Sequence, residues 1–161
     1  MIDTSARGVT AASDTPPTPI SELANISTRA FVQTGDNVLI VGFIIQGNAT
    51  KRVIVRAIGP EPGAPPYNIP DALANPTLEL HDHTGALIAS NNDCQHTIIG
   101  GIITGNQVRD ITNSGLAPAD PSESAIIAEL PAGNYTAIVR GVNDTTGVAL
   151  VEVYDRDLRA C

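Results

Sequence analysis

The stretch VLIVGFII, residues 38 to 45, places seven apolar side chains and one glycine in a chain whose formal net charge is −8. A membrane-spanning helix needs about 20 apolar residues, and this run ends at Gln46, Gly47 and Asn48. Turn-forming residues also precede it at 34–37. A continuous apolar run between turns is typical of a β-strand that is covered on both faces. The sequence therefore predicts a strand here, together with something that covers each of its sides.

The composition favours a single all-β domain. The chain has 161 residues, of which 42% are hydrophobic and only 3% aromatic, and 14 Gly and 12 Pro separate short apolar segments rich in Ile, Val and Thr. This length is sufficient for one sizeable core. The nine Lys and Arg residues are scattered through an acidic chain, whereas phosphate binding needs clustered positive charge. We therefore expect neither nucleic-acid binding nor membrane insertion.

Eight antiparallel strands are predicted from apolar runs and from period-two alternation. They cover residues 26–32, 38–46, 52–58, 77–82, 86–90, 124–130, 135–141 and 149–154. Turn sequences at 82–85, 131–134 and 143–147 predict hairpins. Short strands with such turns indicate a β-sandwich or jelly roll over residues 23–161.

Two long connections interrupt the strand pattern. GPEPGAPPYNIP, residues 59–70, is too rich in proline to enter a central ladder. Residues 91–121 form a long polar connection that contains Gly100 and Gly101. Long connections are often functional, but the small residues here suggest a covering flap as readily as a site.

Residues 1–22 are predicted to be an extended arm or a linker, and Pro16, Pro17 and Pro19 stiffen its end. The preceding segment SARGVTAAS has no proline, so it could add as a strand to an exposed sheet edge. The assembly residues predicted in it are Ala6, Val9 and Ala11. An extended arm of this length reaches about 65 Å, whereas the domain diameter is about 40 Å. The arm can therefore reach a neighbouring subunit.

Cys94 and Cys161 are sufficient for one disulfide bridge. Such a bridge would close a loop of about 70 residues and contribute about 4 kcal/mol on the chain-entropy model. The carboxy-terminal position of Cys161 is a suitable place to hold a chain end. Two free thiols are the alternative.

Several ordered segments resemble a β-rich domain of large surface and secreted proteins from environmental bacteria. They are LANISTRAFV at 23–32, KRVIVRAIGP at 51–60, LANPTLELHD at 73–82, GALIASNND at 85–93, GLAP at 115–118 and ESAIIAELPAGNYTAIVRGVNDTTGVALVEVYD at 123–155. The second half is also similar to the pre-peptidase carboxy-terminal type of β-sandwich. The resemblance implies an extracellular or cell-surface setting and little biochemistry. The proline-rich insertion and the two cysteines depart from the pattern.

Four side chains could in principle approach one another as zinc ligands: His81, His83, Cys94 and His96. Without a C-x-x-C or H-E-x-x-H spacing, ordinary solvated histidines are the simpler interpretation. Oxygen ligands for calcium occur at Asp82, Asn92 and Asp93, but turn Asp and Asn residues more often cap their own backbone. The sequence therefore predicts no metal and no cofactor.

Catalytic signatures are not found in the sequence. There is no G-x-S-x-G motif, and Ser122, Glu123 and Ser124 form an unremarkable start to a strand. Three acidic residues within predicted strands are expected on solvated faces: Glu79, Glu129 and Glu152. Sugar binding is also disfavoured, because Phe31, Phe43, Tyr135 and Tyr154 lie in strands where core packing is expected, which leaves only Tyr67. We expect a protein that is not an enzyme.

The leading hypothesis is an extracellular structural subunit that assembles with copies of itself head to tail. Each subunit would donate its arm as a strand to the next, and a head-to-tail contact that does not close into a ring gives a filament. A disordered linker and an arm that folds back on its own domain remain open. The alternative function is a non-catalytic accessory or binding module of a secreted enzyme or adhesin.

Overall fold

Two antiparallel sheets pack face to face in the computed structural model, which describes residues 25–96 and 100–156. The first sheet has the strand order β1-β9-β3-β7 and the second the order β2-β8-β4-β5-β6. The strands are β1 (Asn25–Val32), β2 (Leu39–Ile45), β3 (Lys51–Ile58), β4 (Pro76–His81), β5 (Leu87–Asn91), β6 (Gly100–Gly101), β7 (Ser124–Leu130), β8 (Gly133–Gly141) and β9 (Gly147–Asp155). Apart from the run β4 to β6, successive strands alternate between the sheets in a jelly-roll connectivity, so the predicted all-β sandwich is confirmed.

All eight predicted strands are present, with ends that differ by two residues or fewer. The two-residue strand β6 was not predicted, because a pair of glycines carries no apolar alternation. Two short helices also occur outside the sheets, α1 (Pro60–Gly63) and α2 (Val108–Asn113). A single turn of 3₁₀ helix, Val142–Asp144, follows β8.

Only one of the three predicted hairpins exists. The turn at 82–85 joins β4 to β5 within one sheet, and Asp82 N donates to Ala86 O at 3.0 Å. The turns at 131–134 and 143–147 instead carry the chain from one sheet to the other. Those two predictions were wrong because a turn sequence fixes a reversal of direction but not which strand the chain then pairs with.

The main core lies between the sheets and is formed by alternate residues of the strands. On β2 these are Leu39, Val41, Phe43 and Ile45, all buried. Leu78 and Leu80 of β4 share the inner face, as the alternation predicted. Such apolar burial, at about 25 cal/mol per Å², is the main force that holds the two sheets together.

A second, smaller core lies on the outer face of the first sheet. Its buried residues are Ile54 of β3, Ala125 and Ile127 of β7, Cys94 and Ile111. Ile111 belongs to α2, so the long connection between β5 and β7 is the cover of this face. The connection is a flap over β3 and β7.

The outer face of β2 has no such cover, contrary to the expectation for VLIVGFII. Ile40 and Ile44 are each 57% exposed, and the burial of β2 alternates strictly. The α2 part of the long connection and the proline-rich insertion cover the first sheet, and β6 pairs at the far edge of the second, so neither connection covers β2. The apolar run therefore predicted the strand correctly, but the prediction that its outer face is covered was wrong for the described part of the chain. No helix among the described residues is long and apolar enough to cross a membrane.

Candidate functional site

The open edge of the second sheet is the first candidate. We use the name open edge for the unpaired side of β2 with its outward residues Ile40, Gly42 and Ile44. Among residues 25–96 and 100–156, β2 pairs only with β8. A terminal strand leaves about half of its backbone N–H and C=O groups without a ladder partner, which makes it a template for another strand.

The side chains of β2 offer none of the usual protection against strand addition. The strand reads LIVGFII and contains no charged residue, no proline and no bulge. Natural sheets commonly place such features on their edges to prevent pairing with other chains. An unprotected apolar edge is therefore either an aggregation hazard or an assembly site.

Packing and one hydrogen bond support the open edge from the core side. The rings of Phe43 and Tyr135 stack with centroids 5.5 Å apart, and the Tyr135 hydroxyl donates to Pro131 O at 2.7 Å. Burial raises the pKa of Tyr135 above its ordinary value, with a smaller effect of Asp82. Because its inner residues are fixed by packing, β2 presents its outer side as a preformed surface.

The opposite edge of the sandwich, at β7, is sealed by side chains. Ile127 N donates to the Gln107 Oε1 atom at 3.0 Å, and the Gln107 amide donates back to Ile127 O. Gln107 thus occupies the place of a neighbouring strand, and Ala125 N also donates to the Asn91 side chain. The edge at β7 thus has side-chain hydrogen-bond partners for its backbone, whereas the edge at β2 has no such seal among the described residues.

β1 is the edge strand of the first sheet, next to β9. Its Phe31 is 49% exposed on the outer face, so the prediction that Phe31 packs in the core was wrong. Phe43 and Tyr135 are buried as predicted, and Tyr154 is half-buried. The assembly residues Ala6, Val9 and Ala11 lie outside the described residues, so their role stays a prediction.

A second candidate is a cleft on the outer face of the first sheet, which we call the β1 cleft. Its volume is about 560 Å³, within the range of ligand pockets. It is lined by Ser27, Thr28 and Arg29 of β1, Arg56 and Ile58 of β3, Leu150 and Glu152 of β9, and Glu61, Pro62, Tyr67 and Ile69 of the proline-rich insertion. The insertion is thus one wall of the cleft, and β1 is the other.

An ion pair forms the floor of the β1 cleft. Arg56 Nε donates to Glu152 Oε2 at 2.9 Å, and its Nη1 donates to Leu116 O at 3.0 Å. The guanidinium also lies over the Tyr154 ring, and the Tyr154 hydroxyl donates to Glu152 Oε1 at 3.1 Å. Desolvation, followed by the charge of Glu152, raises the pKa of Tyr154. The prediction of a solvated Glu152 was therefore wrong, whereas Glu129 is exposed as expected.

Glu123, to which the sequence assigned no particular role, is fully buried. Its Oε1 accepts hydrogen bonds from Gly59 N at 3.0 Å and from Glu61 N at 2.8 Å, which anchors the start of the proline-rich insertion to the residue before β7. Its Oε2 is buried without a hydrogen-bond partner among the described atoms. Desolvation raises the pKa of Glu123 despite the two backbone donors. A carboxylate between two serines gives no sequence signal for this role.

The four side chains considered as zinc ligands do not converge. His81 bonds to Glu79 at 3.0 Å and to Gly85 O at 3.1 Å, while His96 pairs with Asp93 at 2.7 Å. Cys94 is buried in the second core, and His83 is exposed in its turn. Within the described part of the chain, no three His, Cys, Asp or Glu side chains are grouped to hold a metal ion.

The oxygen groups considered as calcium ligands accept hydrogen bonds from their own turns, as the sequence favoured. Asp82 Oδ1 accepts from Thr84 N, Thr84 Oγ1 and Ala86 N, and the Thr84 side-chain bond is the largest cause of its lowered pKa. Asp93 Oδ1 accepts from Gln95 N at 3.0 Å. These are the self-capping turns that Asp commonly forms, and Asn92 has no part in them.

Cys94 is buried against Ile54 and Ile111, with its Sγ 3.8 Å from Asp120 O. As a thiol it would have a pKa raised to about 11, first by desolvation and then by the charges of Asp93 and Glu123. Cys161 lies outside the described residues, so the bridge between Cys94 and Cys161 stays a prediction.

Comparison with known proteins adds no family. No protein-family model matches the chain, and no curated protein shows significant sequence similarity to it. The function of the chain is therefore inferred from the geometry of its described residues.

Proposed function

We propose that this chain is a structural subunit that assembles head to tail into an extracellular filament, with the amino-terminal arm of one copy added as a strand to the open edge of the next. The observation that carries the proposal is the exposure of Ile40 and Ile44 on a terminal strand that has no charge and no proline. Strand addition would pair the free backbone groups of β2 and cover its apolar side chains together.

The composition of the arm supports it as the donated strand. SARGVTAAS, residues 5–13, contains one Arg, no acidic residue and no proline, whereas the whole chain has a net charge of −8. Its small side chains could lie beside Ile40 and Ile44 without steric conflict, and Gly42 leaves space between these two. The positive charge of Arg7, within residues 5–13, would be attracted to an acidic body, while the bodies themselves repel one another.

The outer face of the second sheet is less suited to stacking on a sheet of another copy than to the addition of one strand. Beyond Ile138 the outer face of the second sheet becomes polar, with Glu79 and His81 paired at 3.0 Å on β4. The apolar area is therefore a narrow strip along the edge and not a broad face. A narrow strip suits one added strand better than a second sheet.

Negative-stain electron microscopy of the purified full chain, with light scattering after gel filtration, tests the proposal. We expect filaments from the full chain and single globules after deletion of residues 1–20. The substitution Ile44→Lys should also prevent filaments, whereas Ile102→Lys should not, because Ile102 is an exposed isoleucine away from β2. Monodisperse globules from every one of these proteins would contradict the proposal.

A further inference from the structure

The β1 cleft has the width of one extended polypeptide chain. In the register of the first sheet, Arg29 of β1 lies beside Leu150 of β9, which lies beside Ile58 of β3. Adjacent strands are about 4.8 Å apart, so β1 and β3 are separated by about 10 Å across the floor. Beyond β3 the flap and the proline-rich insertion rise as the far wall.

The two walls of the cleft differ in chemistry. On the insertion side lie Pro62, Ile69 and the ring of Tyr67, which is 66% exposed. On the β1 side lies Arg29, an exposed guanidinium with no partner among the residues that the structure describes. Arg56 is already neutralised by Glu152, so Arg29 is the cleft's available positive charge.

Grooves lined by an aromatic ring and apolar side chains are the usual binding sites for polyproline II segments. A sequence of suitable composition precedes β1: DTPPTPI, residues 14–20, in which Pro16 and Pro19 have the P-x-x-P spacing. Its one charged residue, Asp14, is complementary to Arg29. Proline fixes φ near −65° in advance, so docking such a segment loses little conformational entropy.

We propose that the β1 cleft is the docking groove for residues 14–20 of the same chain. The prolines lie against Tyr67 and Pro62, and Asp14 pairs with Arg29. Glu61, on the insertion wall, repels Asp14 and thereby favours the orientation in which the acidic end lies on the β1 side.

The length of the connecting chain permits this arrangement within one molecule. Residues 21–24 separate Ile20 from the start of β1 at Asn25. Five residue steps span up to about 17 Å, and the cleft begins only two residues along β1, at Ser27. A segment of the same chain is also present at a much higher effective concentration than that of any other copy.

Docking would fix the direction in which residues 1–13 leave the body. That consequence for assembly rests on the proposed function, because it assumes that residues 5–13 are the donated strand. The docking itself does not require a filament.

Tryptophan fluorescence in the full chain tests the docking. The chain has no Trp, so Tyr67→Trp introduces one reporter at the cleft. The measurement is made in the Ile44→Lys background, which blocks the proposed assembly, so that its result does not depend on whether filaments form. We expect replacement of Pro16, Pro17 and Pro19 by Ser to red-shift the emission and to raise the acrylamide quenching constant about twofold.

Charge reversal provides the second arm of the experiment. Arg29→Glu should raise the quenching of the reporter, and Arg29→Glu combined with Asp14→Arg should restore its protection. The control is Ile102→Trp, an exposed site away from the cleft, whose quenching should not respond to the proline replacements.

Two results would overturn the inference. A reporter at position 67 that is quenched equally with and without the prolines would mean that residues 14–20 do not cover the cleft. Protection that is lost on dilution would assign the groove to a neighbouring copy and not to the same chain.

Discussion

Ile40 of β2 lies directly opposite Ile138 of β8 in the antiparallel register of the second sheet, and both side chains face outward. Ile40 is the more exposed of the two because no strand lies beyond it among the residues described. The pair marks the place where the outer face changes from polar to apolar. The apolar end of the sheet therefore coincides with its open edge.

A charge at this edge should prevent association without unfolding the domain. Ile40→Lys removes an apolar contact with an added strand and places a charge in that contact. Because position 40 is exposed, the loss of folding free energy should be about 0.5 kcal/mol or less. We expect a monomer by light scattering and an almost unchanged Tm. The matched variant Ile102→Lys alters another exposed isoleucine, 73% exposed, and should assemble as the unmodified chain does.

Removing the seal at the other edge should destabilise the fold. Gln107→Ala leaves Ile127 N and Ile127 O without their side-chain partner, at a cost of about 1 to 3 kcal/mol in the free energy of unfolding. Urea denaturation measures the loss. Gln95→Ala is the control, because Gln95 is exposed and should change stability by less than about 0.5 kcal/mol. Equal losses for the two variants would remove the sealing role from Gln107.

The ion pair beneath the β1 cleft should be sensitive to the loss of one partner. Arg56→Ala leaves the largely buried Glu152 carboxylate without its main partner, which should lower the free energy of unfolding by about 3 kcal/mol. The double variant Arg56→Met with Glu152→Leu removes both charges and should recover most of that loss. A double variant no more stable than Arg56→Ala would show that packing, and not the charge pair, accounts for the effect.

Glu123 should make stability depend on pH in the direction opposite to that of most carboxyl groups. Burial raises its folded pKa above the ordinary value of 4.5, so folding favours the protonated form. The resulting stabilisation is fully present below pH 4.5 and is lost as the pH rises through the folded pKa.

Urea titrations between pH 4 and 8 on the unmodified chain and on Glu123→Gln measure this contribution. Their difference in unfolding free energy should change with pH, the unmodified chain losing stability relative to Glu123→Gln as the pH rises through the folded pKa. Glu129→Gln, at an exposed position of the adjoining strand β7, should show no comparable change. A Glu123→Gln profile parallel to that of the unmodified chain would mean that Glu123 titrates normally.

Alkylation followed by mass spectrometry decides the state of Cys94. If Cys94 and Cys161 are bridged, the native chain takes up no iodoacetamide and the reduced, unfolded chain takes up two equivalents. If they are free, Cys161 should react without reductant, while Cys94 should react only on unfolding. The slow reaction of Cys94 follows from its burial and from a pKa of about 11, which leaves little thiolate near neutral pH.

The sequence predicted the strands well but not which elements and side chains lie beside them. VLIVGFII is apolar on both faces, and the strand forms, but Ile40 and Ile44 remain exposed because cover depends on which element lies alongside. Glu152 was wrongly expected in solvent, because the sequence does not show which side chain lies beside it. Its side chain faces Arg56, a residue 96 positions away in the chain, and no local pattern contains that distance.

Local chemistry alone determined that this chain forms short strands separated by turns, because alternation and turn propensity act between residues that are neighbours in sequence. Tertiary structure alone decided that Gln107 seals the edge at β7 and that the edge at β2 stays open. It also decided where Arg29 and Tyr67 line a common cleft. These depend on the order of strands in two sheets, and that order is set by the burial of the whole apolar surface rather than by any one segment.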